Sequence, residues 1–346
     1  MPQTFPTGPR RLRRLRRRRS GRIALGAAAL AVVLAAGAAF AYVATLSTTF
    51  DGRTGKIATA FPDESTRPSS APAANGKTPL NILLVGSDSR GATAQQAEAG
   101  DASDQRSDTL MLVHVPADRA KAYVVSIMRD LWVPIPGHGS AKINAALAWG
   151  GEPLLVQTVE ALLRQRIDHV VLLDFAGFKG LTDAVGGVDV DVPIAFTPVM
   201  FPGFRFEKGP RHLDGEAAFA FVRERYAFPD GDFQRVRNQQ IYLKSLLRKV
   251  AAPQTLANPV ALASAVNELS PYLTVDATLT ASAVAGLGFE LKDVRPEDVV
   301  MFTLPTKGTG WSADRQSIVL LDQDAVTGLA DAMAKGTMGD FVASRR

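Results

Sequence analysis

The chain contains no cysteine, and this absence removes several kinds of chemistry at once. A protein without cysteine cannot form a disulfide, a thiolate zinc site or a cysteine nucleophile. Histidine is also scarce, and the four that occur are His114, His138, His169 and His212. Because they are scattered without the spacing of zinc ligands, a histidine zinc site is not expected. Thiol chemistry is therefore excluded, and a histidine zinc site is not expected.

Two common catalytic loops are absent as well. The glycine-containing loop that directly follows the apolar run Leu80–Val85 reads Gly86-Ser-Asp88-Ser. It has neither the spacing of a phosphate-binding P-loop nor that of a Gly-x-Ser-x-Gly nucleophile elbow. Nucleotide hydrolysis and serine esterase activity therefore lose support.

Acidic residues are missing from the first 22 positions, where nine arginines occur. The formal net charge of the whole chain is +5, so the residues after Arg22 carry a net charge of −4. The basic character belongs to a cytoplasmic tail over residues 1–22 and not to the body of the protein. We therefore expect no nucleic-acid partner, and we interpret the arginines as a topology signal that also contacts anionic lipid.

An uncharged apolar run follows the tail from Ile23 to Leu46. Its length suffices for a helix to cross a bilayer, and the preceding arginines predict a cytoplasmic N-terminus with everything after the span outside the membrane. A cleavable signal peptide is the alternative, because Ala39-Phe40-Ala41 resembles a cleavage site. The run exceeds the usual length of a signal sequence, which favours an uncleaved anchor in the cell membrane.

After the span, the composition predicts a linker and one folded domain. Residues 47–79 are rich in proline, serine and alanine and are expected to form a flexible spacer. Residues 80–340 alternate short apolar runs with helical patterns, which predicts an α/β/α-type extracytoplasmic domain with a central mixed sheet. Strands are predicted at Leu80–Val85, Thr109–Val115, Tyr123–Ile127, Val170–Phe175 and Val299–Leu304, and helices at Ala141–Ala148, Pro153–Arg164, Asp232–Val250, Val260–Leu269, Ala281–Leu291 and Ala325–Ala334.

Acids and arginines are paired at the ends of these apolar runs. The pairs are Asp88-Ser-Arg90, Arg106-Ser-Asp108, Arg129-Asp130, Arg223-Glu-Arg225 and Arg235-Val-Arg237. Charged groups beside a core are costly unless they are paired or bind a ligand. Arginine holds phosphate oxygens bidentately, and two aspartates with open coordination positions suit Mg²⁺. The pattern therefore predicts a site for a phosphate or pyrophosphate together with a divalent metal.

The local sequence suggests how some of these residues are presented. Arg223 and Arg225 follow an apolar run with a spacing of two, which in an extended segment places both on one face. Lys142 is expected at the start of a helix, where it could reach a phosphate. Arg235 and Gln239 are four apart on the predicted helix after Asp232, the expected cap, and share a face.

The order of these segments resembles the LytR-CpsA-Psr family over roughly residues 80–250. The resemblance is carried by Asn81-Ile-Leu-Leu-Val-Gly-Ser-Asp88, Arg106-Ser-Asp108-Thr, Ser-Ile-Met-Arg129-Asp130, Lys142-Ile-Asn144-Ala, Asp174-Phe, Val-Arg223-Glu-Arg225 and Arg235-Val-Arg237-Asn-Gln-Gln. The order and spacing of all seven segments are more specific than any single one. The predicted anchor, spacer and outer domain agree with the layout of that family.

The resemblance implies a phosphotransferase that moves a glycopolymer, such as teichoic acid or arabinogalactan, from undecaprenyl pyrophosphate onto peptidoglycan through a phosphodiester. It implies that Asp88 and Asp108 hold Mg²⁺ or Mn²⁺. The catalytic residues it implies are Arg106, Arg129, Asp130, Arg223 and Arg225. The residues implied to bind the pyrophosphate are Arg90, Lys142, Arg235, Arg237 and Gln240. Asp130 is either a general base or an ion-pair partner that orients Arg129.

Two other functions remain open. The same residues could serve a polyprenyl pyrophosphatase with water as acceptor, or the protein could bind envelope polymer or lipid without catalysis. A lipid-dependent enzyme needs an apolar tunnel for the prenyl chain. We expect the helices around Ala145–Leu163 and Phe175–Leu181 to line it.

Overall fold

The computed structural model describes residues 41–73, 76–87, 107–252 and 258–345, without the side chains of Asp108, Ala261 and Leu262. The chain divides into two compact units, residues 1–48 and residues 49–346. In the first unit, the described residues 41–48 are helical. Every strand of the described residues belongs to the second unit.

A seven-stranded mixed sheet forms the centre of this second unit. In spatial order its strands are β1 (Gly55–Ile57), β10 (Thr274–Asp276), β7 (His169–Asp174), β2 (Leu80–Ser87), β3 (Ser107–Val115), β4 (Ala122–Ile127) and β11 (Val299–Thr303). The pairs β1–β10, β7–β2 and β4–β11 are parallel, and the other neighbours are antiparallel. The predicted mixed sheet is confirmed.

Besides the helical residues 49–53 and three short 3₁₀ helices, the described part of the unit contains three small sheets and eight α-helices. The small antiparallel sheets pair β5 (Trp132–Ile135) with β6 (Gly139–Lys142), β8 (Val188–Val192) with β9 (Gly209–Leu213), and β12 (Thr306–Trp311) with β13 (Ser317–Leu321). The helices are α1 (Ala145–Leu163), α2 (Phe175–Ala184), α3 (Gly215–Arg223), α4 (Asp232–Val250), α5 (Pro259–Leu269), α6 (Ala281–Glu290), α7 (Gln323–Lys335) and α8 (Met338–Ala343).

The two faces of the sheet have different neighbours. Side chains alternate between the faces of a strand. On β2, Leu83 and Val85 belong to the main hydrophobic core, which also contains Leu155 of α1 and Leu329 of α7. Leu84, between them, lines a cavity on the opposite face together with residues of α2 and α4. The sheet therefore separates a closely packed core from a face that retains open space.

One local prediction around α1 needs correction, and another is confirmed. Lys142 is not at the start of a helix, because it ends β6 and pairs with Trp132 of β5, and the first helical segment begins at Ala145 and not at Ala141. The two helices predicted before and after Gly150-Gly151 are both present, because α1 consists of two helical segments that meet at a kink with non-helical backbone angles at those glycines. Gly151 has a φ of 62°, a conformation that favours glycine, so the helical direction changes there.

The predicted flexible linker is wrong for much of its length. Gly55–Ile57 forms strand β1 and pairs with β10, and Ile57 and Ala60 are buried in the main core. Farther along, Arg67 forms a salt bridge at 2.7 Å with Glu160 of α1 and donates to the backbone carbonyl of Ile167. The composition of residues 47–79 resembles that of a flexible spacer. A few apolar and charged side chains nevertheless hold this segment on the domain.

We expect Arg67→Ala to destabilise the domain by about 3–5 kcal/mol, because it leaves the Glu160 carboxylate buried without its cation. The two side chains are only 6% and 1% exposed. Urea unfolding would measure the change. Arg164→Ala is a matched control, since Arg164 pairs with Asp331 at 3.2 Å on the exposed surface and should cost less than about 1 kcal/mol. Equal effects of the two substitutions would contradict the buried pair's role.

The predicted membrane span, Ile23–Leu46, falls mostly outside the described residues. Among the residues that the structure does describe, from position 41 onward, no helix combines the length and the apolar character that a bilayer crossing requires. The span and its orientation therefore stay predictions.

Candidate active site

Several of the predicted site residues follow strands that end at one edge of the central sheet. Strands β2 and β7 are parallel and end there, with Ser87 paired to Asp174. Strand β3 begins at this edge, and β4 ends there just before Arg129. Chain segments that leave neighbouring strands at a common edge can bring distant parts of the sequence together.

The side chains of four predicted residues are not among those that the structure describes. Asp88, Arg90 and Arg106 fall between β2 and β3, beyond the described residues, and Asp108 is described only by its backbone. The pairing of β2 with β3 shifts between Gly86 and Ser87, and Asp108 is the residue of β3 at this irregularity. Its backbone therefore lies at the same sheet edge.

Arginines from three separate segments surround one small pocket of about 120 Å³, which we name the arginine pocket. It is lined by Arg129, which follows β4, by Arg223 and Arg225 around the end of α3, and by Arg235 of α4, with Met200, Phe201 and Tyr226. The structure thus brings together four of the predicted residues. Such a set of guanidinium groups suits an anion with several oxygens, as phosphates have.

Asp232 joins three of these arginines. Its carboxylate lies 3.3 Å from Arg235, 3.4 Å from Arg225 and 3.5 Å from Arg129. Burial would raise the pKa of Asp232, but the positive charges of Arg235, Arg129 and Arg225 outweigh it and hold the pKa below its ordinary value. Asp232 is therefore an anion that positions three cations.

The local backbone explains why Asp232 takes this role. The sequence predicts Asp232 as the helix cap, but the cap of α4 is Gly231, and no side chain caps this helix end. Gly231 has a φ of 51°, which favours glycine, and Asp232 is the first residue of the helix. Its carboxylate bonds with arginines and not with the helix backbone.

Asp130 lies between Arg129 and a further cation, Lys142. Its carboxylate is 3.3 Å from Lys142 and 3.8 Å from Arg129. Because β5 and β6 form a hairpin, Lys142 returns to the chain segment that carries Asp130. This arrangement favours Asp130 as an orienting ion-pair partner over a general base.

Aromatic rings hold two of the arginines in place. The Arg223 guanidinium lies 4.3 Å from the ring centre of Phe175 and 5.3 Å from that of Phe219. Arg225 lies 4.6 Å from the ring centre of Tyr226 and donates to its hydroxyl. Cation–π contacts of this kind restrict a guanidinium without neutralising its charge. Both side chains are therefore positioned before any ligand binds.

An apolar cavity of about 240 Å³ adjoins the arginine pocket. Its floor is the open sheet face, with Leu84, Met111, Val171 and Leu173. Its walls come from α2, α3 and α4, including Phe178, Phe219, Leu243 and Leu246. Arg223 and Arg235 line both the cavity and the arginine pocket, so the two spaces share a boundary made of cations.

The expected lining of this cavity is partly wrong. Helix α2 does line it, but α1 does not, because α1 packs in the main core with α7 and the other face of the sheet. Helix α4 takes that place. Sequence patterns show which side of a helix is apolar, but they do not say which sheet face the helix covers.

Two predicted phosphate ligands lie apart from the arginine pocket. Arg237 forms an ion pair with Asp230 and donates to Gln234, and Gln240 donates to the hydroxyl groups of Ser126 and Thr303. Both line a different, open cavity. Gln239, which does line the apolar cavity, is the better candidate in this part of α4, and its spacing of four from Arg235 is the signal that identifies it.

The predicted metal ligands, Asp88 and Asp108, are residues whose side chains the structure does not describe. Among the described residues no group of three or more acids or histidines could hold a metal ion. Asp88 and Asp108, the two carboxylates predicted from the sequence, would supply two oxygen donors, which fits Mg²⁺ because this ion takes few carboxylates and completes its shell with phosphate and water. The donor set is thus compatible with Mg²⁺ bound together with a phosphate ligand.

Together, the fold and this site define an α/β protein in which a cationic pocket adjoins an apolar cavity. The family model described as LytR_cpsA_psr matches residues 45–335. The chain belongs to the LytR_cpsA_psr family, and the resemblance seen in its motifs is confirmed.

Known relatives share parts of the chain. The polyisoprenyl-teichoic acid–peptidoglycan teichoic acid transferase TagU of Enterococcus faecalis is 34% identical over 195 residues, which cover 56% of this chain and 61% of TagU. The cell wall biosynthesis protein LcpA of Corynebacterium glutamicum is 30% identical over 290 residues, covering 73% of this chain and 55% of LcpA. The chain therefore spans only about 55–61% of the length of these relatives.

The fold is also similar to solved structures. The crystal structure of B. subtilis TagV superposes with a TM-score of 0.63 at 25% identity, covering 75% of this chain and 98% of TagV. This similarity supports the α/β architecture with its mixed central sheet.

Proposed function

We propose that this protein transfers a glycopolymer from an undecaprenyl-pyrophosphate carrier onto peptidoglycan through a phosphodiester. The observation that carries the proposal is the shared boundary of the two spaces, where Arg223 and Arg235 line both the arginine pocket and the apolar cavity. A prenyl pyrophosphate has a matching division into a dianionic head and a long apolar chain. The transferase activity named for TagU, a relative at 34% identity, lends further support.

The chemistry follows from the charges in the pocket. An acceptor hydroxyl attacks the sugar-side phosphorus, the bond from that phosphorus to the bridging oxygen breaks, and undecaprenyl phosphate leaves. The hydroxyl proton passes to a base or to water as the bond forms. Arg129, Arg223 and Arg225 neutralise charge on the phosphate oxygens, which is the main contribution a protein makes to phosphoryl transfer.

Mg²⁺ or Mn²⁺, held by Asp88 and Asp108, belongs to the same proposal. Such an ion would neutralise further charge on the pyrophosphate. Arg90 and Arg106 are proposed to contact the pyrophosphate from the segment between β2 and β3. Lys142 and Asp130 form an ion pair at 3.3 Å, and Asp130 also pairs with Arg129. We propose that this ion pair orients Arg129 toward the pyrophosphate.

The proposed location is the cell membrane, with residues 1–22 in the cytoplasm, a single span at residues 23–46 and the catalytic domain outside. The uncharged run after nine arginines supports this orientation. It places the domain beside both proposed partners, the lipid carrier in the membrane and the peptidoglycan.

A transfer assay tests the proposal with the purified full chain. Undecaprenyl-pyrophosphate-linked polymer and peptidoglycan are supplied with Mg²⁺, and the expected products are polymer-bearing peptidoglycan and one undecaprenyl phosphate per polymer transferred. Adding EDTA should stop the reaction. Release of polymer phosphate without attachment would identify a pyrophosphatase instead, and substrate binding without any release would identify a non-catalytic binding protein.

A further inference from the structure

Three large apolar side chains are exposed together at the edge of the arginine pocket. Val199 is 58% exposed, Met200 67% and Tyr226 59%. Val199 and Met200 belong to the loop between β8 and β9, and Tyr226 lies between α3 and α4. Met200 and Tyr226 also line the arginine pocket. We name these three residues the apolar rim.

A buried acid joins the two segments of the apolar rim. The Glu224 carboxylate accepts hydrogen bonds from the backbone N–H groups of Val199 at 2.8 Å and Ala227 at 2.7 Å. Within the same loop, Phe196 and Phe206 are buried and stack on each other at 4.9 Å between ring centres. Apolar side chains exposed on such a packed support indicate an interaction surface.

Basic side chains in the loop that carries the apolar rim favour a partner with an anionic surface. Between Pro193 and Leu213 the loop and β9 carry three basic residues, Arg205, Lys208 and Arg211, and one acid, Glu207, which forms an ion pair with Arg205 at 2.5 Å. All four are exposed. Exposed apolar side chains combined with basic ones bind the surface of an anionic bilayer, where the cations meet lipid phosphates and the apolar groups enter the interface. A sugar polymer could stack on Tyr226, but Val199 and Met200 offer its hydroxyl groups no side-chain hydrogen bond.

We propose that the apolar rim inserts into the surface of an anionic lipid membrane and holds the arginine pocket against it. The inference extends the proposed function, because a carrier whose prenyl chain passes directly from bilayer to apolar cavity avoids exposing that chain to water. The rim then forms the entrance to the site. Lys208 and Arg211 strengthen the contact by binding lipid phosphates, whereas Arg205 is paired with Glu207.

The absence of cysteine makes a direct test possible, since single cysteines can be labelled without background. Val199→Cys and Phe289→Cys each receive the environment-sensitive fluorophore NBD in the full chain, which is incorporated into phosphatidylcholine–phosphatidylglycerol vesicles without polyprenyl substrate. Phe289 is a matched control, because it is 73% exposed and lies on α6. Leu287 of the same helix packs against Leu80, at the opposite end of β2 from the site.

The Val199 probe is expected to emit at shorter wavelength than the Phe289 probe and to lose most of its fluorescence when nitroxide-labelled lipids are included. Lys208→Glu combined with Arg211→Glu should reduce that quenching in phosphatidylglycerol vesicles. Equal, unquenched spectra at the two positions would overturn the proposal. Quenching that appears only after lipid-linked polymer is added would overturn it too, because the rim would then bind the carrier and not the bilayer.

This result is separable from the transfer assay. The vesicles contain no substrate, so insertion of the apolar rim is decided whether or not the protein transfers polymer. An inactive protein whose Val199 probe is quenched would refute the proposed function and retain the membrane contact. An active protein whose Val199 probe is not quenched would support the proposed function and refute the membrane contact.

Discussion

Asp232→Asn should lower kcat by about 10²- to 10³-fold, the usual cost of losing a preorganised donor to a developing charge. The carboxylate of Asp232 lies within 3.5 Å of Arg129, Arg225 and Arg235. Asparagine keeps the size of the side chain but removes the charge that holds these three guanidinium groups together. They would then repel one another and leave the positions in which they face the transferring phosphate.

The KM of this variant provides a second readout. With one negative charge fewer, the arginine pocket attracts an anionic carrier at least as strongly, so KM should stay unchanged or fall while kcat drops. A fold defect would instead lower the amount of active protein and leave KM and the kcat of the folded fraction as they were. Asp232→Glu should restore part of kcat, because it returns the charge at nearly the same place.

Asp230→Asn is the matched control for Asp232→Asn. It makes the same chemical change two residues earlier, where the carboxylate pairs with Arg237 on the exposed surface. Exposed pairs contribute little, so we expect kcat within about twofold of the unaltered protein. Similar kcat values for the two variants, measured in the transfer assay, would show that Asp232 does not position the arginines for catalysis.

Leu246→Gln should reduce kcat/KM for a long-chain carrier by about 5- to 150-fold. Leu246 lines the apolar cavity. An amide placed against a bound prenyl chain loses its water without gaining a partner, at a cost of roughly 1–3 kcal/mol, and each 1.4 kcal/mol is about a factor of ten. The measurement compares kcat/KM for carriers with long and short prenyl chains.

The chain length of the carrier distinguishes this effect from general damage. A carrier with a very short prenyl chain leaves the cavity largely unused, so Leu246→Gln should change its kcat/KM little. Leu247→Gln is the matched control, because Leu247 is the next residue of α4 and is not part of the cavity lining. If both substitutions reduce transfer from long and short carriers alike, the cavity does not hold the prenyl chain.

Local patterns in the sequence were sufficient for the sheet and for part of the site. The strands predicted at Leu80–Val85 and Thr109–Val115 coincide with β2 and β3 to within a few residues. Each is a short apolar run, and such runs report burial directly. Arg129, Arg223, Arg225 and Arg235, singled out by their positions beside apolar runs, do line one pocket. The arginines of the first 22 residues and the apolar run after them are equally local signals, and the membrane span they predict is untested.

Only the tertiary structure decided the partners of these residues. Arg235 and Arg237 are two positions apart on α4, so a helix must direct them to different sides, and the packing of α4 places Arg235 at the arginine pocket and Arg237 with Asp230. Asp232 has the sequence of a helix cap, yet it contacts Arg129 after β4 and Arg225 before α4 in addition to Arg235 one turn along its own helix. Contacts between distant segments of this kind leave no periodic pattern in the sequence.

The sequence by itself determined the mixed α/β class, the family and the group of arginines from which the pocket is built. The tertiary structure decided that residues 55–67 pack onto the domain, that α4 and not α1 lines the apolar cavity, and that Arg223 and Arg235 join this cavity to the arginine pocket. The physical reason is the range of the interactions. Burial and helix or strand periodicity act over a few neighbouring residues, whereas a cavity exists only where elements far apart in the chain leave space between them.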